Sequence, residues 1–336
     1  MKRRDSIFTL LAIGAALGAR AVRVQAQLAG RPYRIALLPD FPPNWNGLLK
    51  LFVETLRESG RIEGRDFVLY RSGIIYGQDI DRAVAQVVGE KPDLIFAVNT
   101  GYVVAAHRLT KTIPIVMWAS GLPVEAGVAD SLARPGRNVT GMAGYADTRL
   151  VGKHLELLRE AKSAVKRVGV LWDYVPPFHP RAEIDEAHRQ YRSAARALNL
   201  EVRIYEIASP DQVDATLGKV EVDRMDALVI TTGAPLFPHR KRVMEFTVGR
   251  RLPTLSDYHW PGVEPQPLLR YAPSNSVLIR QATAYVDRIL WGGAKPGDLP
   301  IQQPTKYELV VNQKTARAIG ISIPQSLLVR ADEVVE

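Results

Sequence analysis

The run Arg34-Ile35-Ala36-Leu37-Leu38-Pro39-Asp40 comes back 133 residues later as Arg167-Val168-Gly169-Val170-Leu171-Trp172-Asp173. The same interval separates Asp93-Leu94-Ile95-Phe96 from Asp226-Ala227-Leu228-Val229. Ile113-Pro114-Ile115 then returns as Leu252-Pro253-Thr254 at an interval of 139. A constant spacing between matched segments marks an internal duplication, and it limits the chain to architectures built from two like halves. The wider third interval predicts a third helix in the second half that is longer by about two turns at most.

Each half alternates short apolar runs with amphipathic stretches, the pattern of parallel α/β sheets. In the first half, 33–38, 67–71, 94–98 and 115–119 are predicted strands, with helices at 48–59, 80–89 and 103–110. In the second, strands are predicted at 168–172, 201–207, 227–231 and 254–256, and helices at 182–198, 212–220 and 239–251. The tail adds a helix at 277–291, a Pro-rich crossing at 295–304, a strand at 307–312 and a helix at 314–319. The predicted fold class is α/β, with two similar Rossmann-like lobes, each on a parallel sheet, linked by a hinge. Lobe 1 is assigned to 31–143 plus about 273–300 and lobe 2 to 148–270 plus about 305–336. The chain is expected to cross between them near 141–148, 261–273 and 295–304, stretches rich in Gly and Pro. Ligands of open parallel sheets sit outside the strand carboxyl ends, so two such lobes predict a site in the crevice between them.

Residues 1–26 have the make-up of an export signal. Met1-Lys2-Arg3-Arg4 gives a basic start, residues 7–17 a short apolar run, and Val24-Gln25-Ala26 a small-residue cleavage site. The run is too short and interrupted to span a bilayer, so cleavage near Ala26 and a periplasmic destination are expected. Arg3-Arg4 followed by Ile7-Phe8 matches the twin-arginine variant of such signals. The 336 residues include no Cys, which excludes a lipoprotein anchor, a disulfide framework, thiolate zinc sites and a Cys nucleophile. The leader holds five basic residues and one acid, so the formal charge of +9 becomes +5 without it. The remaining basic residues are scattered along helices, which does not support nucleic-acid binding.

Several segments carry a family resemblance: Thr112-Ile-Pro-Ile-Val116, Ser131-Leu-Ala-Arg-Pro-Gly-Arg-Asn-Val-Thr-Gly141, Gly152-Lys-His-Leu-Glu-Leu-Leu-Arg-Glu160, Gln303-Pro-Thr-Lys-Tyr-Glu-Leu-Val-Val-Asn-Gln-Lys-Thr-Ala316 and Ile323-Pro-Gln-Ser-Leu-Leu-Val-Arg-Ala-Asp-Glu333. Together they resemble the periplasmic substrate-binding proteins of bacterial ABC importers, in the tryptophan- and tyrosine-type family with the type I periplasmic binding protein fold. The resemblance implies an amino acid or related carboxylate as ligand and a membrane permease as partner. Its motifs are structural: Ala133-Arg134-Pro135-Gly136 is expected to end a helix, and Asn138-Val139-Thr140-Gly141 to start the strand leading to the first crossing. The departures fall at the loops. Leu122-Pro123 stands where the family usually has Asp-Pro, Thr231-Thr232-Gly233 where an acid is usual, and Asp257-Tyr258-His259-Trp260-Pro261 where a run with Gly and Glu is usual. A less cationic or more apolar ligand therefore stays open.

The candidate ligand residues of the first lobe are Asp40 and Trp45 after the first strand, Asn99, Thr100 and Gly101 after the third, and Ser120 and Gly121 after the fourth. Short polar side chains ahead of helix amino termini suit a carboxylate, the competing role being an ordinary helix cap. Thr100 also matches a threonine of the family pattern. In the second lobe the candidates are Asp173 and Tyr174, Thr231 and Thr232, and Asp257 and Tyr258, with Asp257 and then Asp173 favoured to hold an ammonium group. Trp118 and Trp172 lie within strands and are expected in the core. No dinucleotide or P-loop fingerprint, serine-hydrolase elbow or zinc-type His spacing is present, so no catalytic residues, metal or cofactor are expected. The chain is expected to be a monomeric binding protein and not an enzyme. A ligand-binding sensor feeding a membrane kinase or chemoreceptor, or a two-lobed transferase, are the alternatives.

Overall fold

Strand and helix alternate along the chain to build two separate sheets. The computed structural model describes residues 30–39, 46–71, 73, 80–144, 148–173, 181–231, 236–257 and 263–336. The strands are β1 Tyr33–Leu38, β2 Phe67–Arg71, β3 Leu94–Val98, β4 Ile115–Ser120, β5 Val139–Ala143, β6 Arg167–Asp173, β7 Glu201–Ile207, β8 Ala227–Ile230, β9 Thr254–Ser256, β10 Leu269–Pro273, β11 Tyr307–Asn312 and β12 Glu333–Val335. The helices are α1 Asn46–Glu58, α2 Ile80–Gly89, α3 Asn99–Leu109, α4 Thr148–Ala161, α5 Arg181–Ala197, α6 Val213–Val222, α7 Arg240–Gly249, α8 Asn275–Leu290, α9 Gln313–Ile319 and α10 Gln325–Arg330. The first sheet is five-stranded, in the order β2-β1-β3-β4-β5, and the second seven-stranded, in the order β12-β11-β10-β9-β8-β6-β7. All pairings are parallel except β10 with β11. Among the described residues no helix is long and apolar enough to cross a membrane.

The duplication holds at the level of register. Ile35 pairs with Leu94 in the first sheet and Val168 with Ala227 in the second, so both partners are displaced by 133. Arg34 with Val68 maps in the same way onto Arg167 with Glu201. Ile95 with Ile115 maps onto Leu228 with Thr254, the displacement of the second partner being 139. Each half also carries the same clamp at the amino ends of its strands. The Asp93 carboxylate accepts the Arg34 N–H at 2.8 Å, and Asp226 accepts that of Arg167 at 2.8 Å.

Strand alternation sends successive side chains to opposite faces, and helices bury both. Ile35, Leu37 and Phe96 meet α1 and α8 through Phe52, Leu56 and Ile279, while Ala36, Leu38 and Ala97 meet α2 and α3 through Val84 and Val103. In the second sheet Val168, Val170 and Val229 pack under α4, α5, α9 and α10, whereas Leu171, Leu228 and Ile230 pack under α6 and α7. Trp118 is buried in the core of the first sheet, and Trp172 is half-buried against the core of the second.

Three sequence expectations are corrected. The six residues by which the intervals differ do not lengthen a helix, since α7 and α3 are of similar length. They fall between β8 and α7, where the described part holds the 3-10 turn Phe237–His239, whereas α3 starts directly after β3. The stretch 261–273, expected as a crossing, contains β10, a short strand following Pro265 and Pro267; the chain leaves the second sheet at Ser274. Residues 131–138 form bends and do not end a helix, because Arg137 is drawn back onto Asp130 (Nε to Oδ1, 2.9 Å) and the Gly127 carbonyl (2.7 Å). Asn138 within the sequon-like Asn138-Val139-Thr140 is buried. Its Nδ2 donates to the carbonyls of Thr110 and Ile113 at 3.0 and 2.8 Å, and its Oδ1 lies 2.7 Å from His107 Nδ1.

The chain passes from the first sheet to the second between Ala143 and Thr148, returns between Pro273 and Asn275, and passes again between Gln302 and Tyr307. The passages are stitched together: Ala143 N–H donates to the Gln302 carbonyl at 2.8 Å, Gln302 N–H to Gly141 at 3.0 Å, and Ser274 N–H to Lys306 at 3.1 Å.

Candidate ligand site

In the first sheet, β3 runs straight into α3, and the helix cap is Val98, which provides no side-chain capping bond. Thr100 is therefore not a cap. Its Oγ1 instead accepts the Gly121 N–H at 2.7 Å, fastening the start of α3 to the end of β4. Asn99, Thr100 and Gly101 on one element and Ser120 and Gly121 on the next are thus brought together at the positive end of the α3 dipole, an environment suited to an anion. Thr100 is buried at 4 % exposure, so it acts as a brace behind the surface as much as a contact on it. The side chains of Asn99 and Ser120, and the whole of Asp40 and Trp45, lie outside the described residues.

A feature absent from the sequence reading shapes this end. Met117 pairs with Gly141 and Ser120 with Ala143, so three steps along β4 match two along β5. Such a bulge re-aims the strand end. Gly141 makes it possible: its φ is +124°, and a Cβ there would lie 2.2 Å from the Met117 carbonyl oxygen. The signal in the sequence was a glycine inside a strand, in Asn138-Val139-Thr140-Gly141.

The second sheet ends differently. Thr231 Oγ1 donates to the Leu171 carbonyl at 3.0 Å, so its hydroxyl proton serves the scaffold. Asp257 follows β9 directly and is half-buried. Tyr191 of α5 feels its charge: the phenol is pushed well above the ordinary tyrosine range, first by burial and then by the negative charge of Asp257. Trp172 packs edge-on against Tyr191 at 6.2 Å and against His188 at 6.0 Å between ring centroids. Burial holds His188 below the usual histidine value, with the Glu206 carboxylate opposing. Glu206 Oε1 is 3.7 Å from His188 Nδ1, while Arg181 takes the other oxygen at 2.9 Å. The second sheet thus ends with an acid at β9 whose charge is felt by a ring of the Trp172–Tyr191–His188 group. Tyr191 and His188 were missed because they lie on a helix, where their spacing looks like ordinary core. The Asp173 side chain, and Tyr174, Thr232 and Tyr258, lie outside the described residues.

The sequence model for ABC transporter substrate binding proteins matches residues 49–335. The chain belongs to that family. Among curated proteins, this substrate-binding protein is similar to the tyrosine-binding protein of Clostridioides difficile strain R20291, with 25 % identity over 280 residues, 83 % of this chain and 78 % of the other. Among solved structures, a conserved domain protein of Vibrio cholerae superposes with a TM-score of 0.78 at 23 % identity, covering 90 % of this chain and all of that one. An ABC domain from Streptococcus pneumoniae in complex with L-Trp superposes at 0.77 with 22 % identity, covering 91 % of this chain and 100 % of that one. These superpositions give the substrate-binding protein a type I periplasmic binding protein fold, as its two mostly parallel sheets require.

Proposed function

We propose that this substrate-binding protein is exported to the periplasm, closes two lobes over an amino acid or a related carboxylate, and hands it to a membrane permease. The observation that carries this is the unlike chemistry of the two strand ends. The first gathers Thr100, Gly121 and a helix amino terminus, which suit a carboxylate; the second offers the acid Asp257, whose charge reaches Tyr191, and Trp172 packed on that ring, which suits an ammonium group beside an apolar or aromatic body. The L-Trp complex and the tyrosine-binding relative support the same ligand class. The lobes are 31–143 with 275–302 and 148–273 with 307–336, and the three passages between the sheets are the hinge. Ligand contacts from both lobes exist together only when they close, so binding shifts the open–closed balance. No bond is made or broken, and the chain works as a monomer. The leader at 1–26 supports export.

Thermal-shift screening and small-angle scattering against L-amino acids, nucleobases and organic acids test this. An L-amino acid that raises the melting midpoint and compacts the protein is expected. A panel without either response contradicts the proposal.

A further inference from the structure

One buried side chain ties the helix after the first passage to the strand before the second, and through that strand to the third. His154 lies in the second turn of α4, the helix that begins where the first passage ends. It is 2 % exposed, and its Nε2 is 3.0 Å from the carbonyl oxygen of Tyr271. That carbonyl occupies a particular place. The pairing of β10 with β9 stops at Arg270, opposite Ser256, so Tyr271 is the first residue beyond it and stands two before Pro273, where β10 ends. A carbonyl requires a donor, which puts a proton on Nε2, and burial favours the neutral ring that carries this proton alone. The Tyr271 ring stands edge-on to His154 at 6.3 Å and stacks on Tyr307, the first residue of β11, at 5.7 Å and 20°. Tyr307 in turn pairs with Pro273, and Lys306 accepts the Ser274 N–H at 3.1 Å. His154 Nδ1 is buried with no partner, so the ring is used for its Nε2 donor alone.

We propose that His154 is a positioning residue of the hinge: its Nε2–H, held on the Tyr271 carbonyl, sets the angle at which the chain leaves the second sheet and thereby the open–closed balance of the lobes. This rests on the two-lobe closure reading. Among the described residues the ring touches no candidate ligand residue, and it acts through the backbone of β10 and the stack of Tyr271 on β11.

The experiment measures the distance between the lobes in ligand-free protein. The native chain has no Cys, so spin labels attach only where cysteines are introduced, at Lys50→Cys on α1 and Lys241→Cys on α7, both of whose side chains are 76 % exposed. In this background His154→Gln offers an amide N–H at the reach of Nε2, whereas His154→Asn offers it only at the reach of Nδ1. The glutamine variant is expected to reproduce the parent distance distribution and the asparagine variant to shift or broaden it. Tyr307→Leu, which keeps the His154 bond and removes the stacked ring, is expected to broaden it by less, and it carries the test if the asparagine variant does not fold. Affinity for L-tryptophan or L-tyrosine is expected to change at least about fivefold in the asparagine variant and to be restored with glutamine. A lowered melting midpoint with unchanged distances in the folded variants would overturn the proposal, as would a glutamine variant displaced as far as the asparagine one. If no amino acid binds the parent protein, the proposed ligand class fails while the distances still decide the hinge.

Discussion

The two sheets agree where they begin and differ where they end. At the amino ends, Asp93 and Asp226 hold the N–H groups of Arg34 and Arg167 at the same 2.8 Å, and the registers of β1 with β2 and β3 recur in β6 with β7 and β8 at a displacement of 133 residues. At the carboxyl ends, the first sheet has a glycine-dependent bulge and a threonine brace, and the second has a Trp–Tyr–His group and an acid whose charge its tyrosine feels. The amino ends bear only on folding, so a duplicated pattern serves both halves equally well. In the function proposed above, the carboxyl ends meet two ends of one ligand; a zwitterion has unlike ends, and unlike chemistry at that edge is what a binder of such a molecule requires.

The largest expected effect attacks the bulge, which has no counterpart in the regular β9–β10 pairing. Gly141→Ala drives a methyl into the Met117 carbonyl at a backbone φ that disfavours side chains, and should cost about 3 kcal/mol in denaturant unfolding. An alanine variant of wild-type stability contradicts the bulge account.

Acid should weigh more heavily on the second half. Burial lowers the pKa of His154 to about 4, opposed by its bond to Tyr271, and burial also lowers His188. Only His107, among the first half's described histidines, is lowered in the same way. A histidine with a depressed folded pKa binds its proton more readily when unfolded, so its contribution to stability is whole above about pH 6.5 and is lost as the pH falls toward 4. Through His154 alone the loss is on the order of 3 kcal/mol. Unfolding curves across this range should show it, and His154→Gln should flatten it. A parent profile that stays flat down to pH 4 contradicts the burial of a neutral ring.

Asp257→Asn should weaken an amino acid by about 30- to 100-fold in calorimetry while sparing its deaminated analogue. Equal losses for both would remove the ammonium role from the second half. The smallest effect belongs to Thr100→Val, which deprives the Gly121 N–H of its acceptor. It should cost about 1 to 2 kcal/mol of stability, and Thr100→Ser should recover it.

Much of the fold was legible in the sequence because strand alternation and constant spacing are local signals. The bounds of β1, β2, β3, β7, β9 and β11 follow from apolar runs closed by turn residues. β10 was hidden by its neighbours, since Pro265 and Pro267 gave Leu269–Pro273 the look of a linker. Thr100, Gly121 and Asp257 are candidates by the rule that ligands gather at strand carboxyl ends, and the structure joins the first two. Thr100 looked like a helix cap as readily as a contact, because the bond to Gly121 joins residues separated by 21 positions and leaves no local trace. Tyr191, His188 and His154 were illegible for a similar reason: each is a helix residue whose meaning comes from a strand end far away in sequence.

In the proposed function the first half holds a carboxylate and the second an ammonium group. Calorimetry of the purified protein with the bound amino acid, its decarboxylated amine and its deaminated acid tests it directly. The account predicts that each truncated analogue binds at least about 100-fold more weakly than the intact amino acid. An acid or amine that binds as tightly as the intact molecule contradicts it.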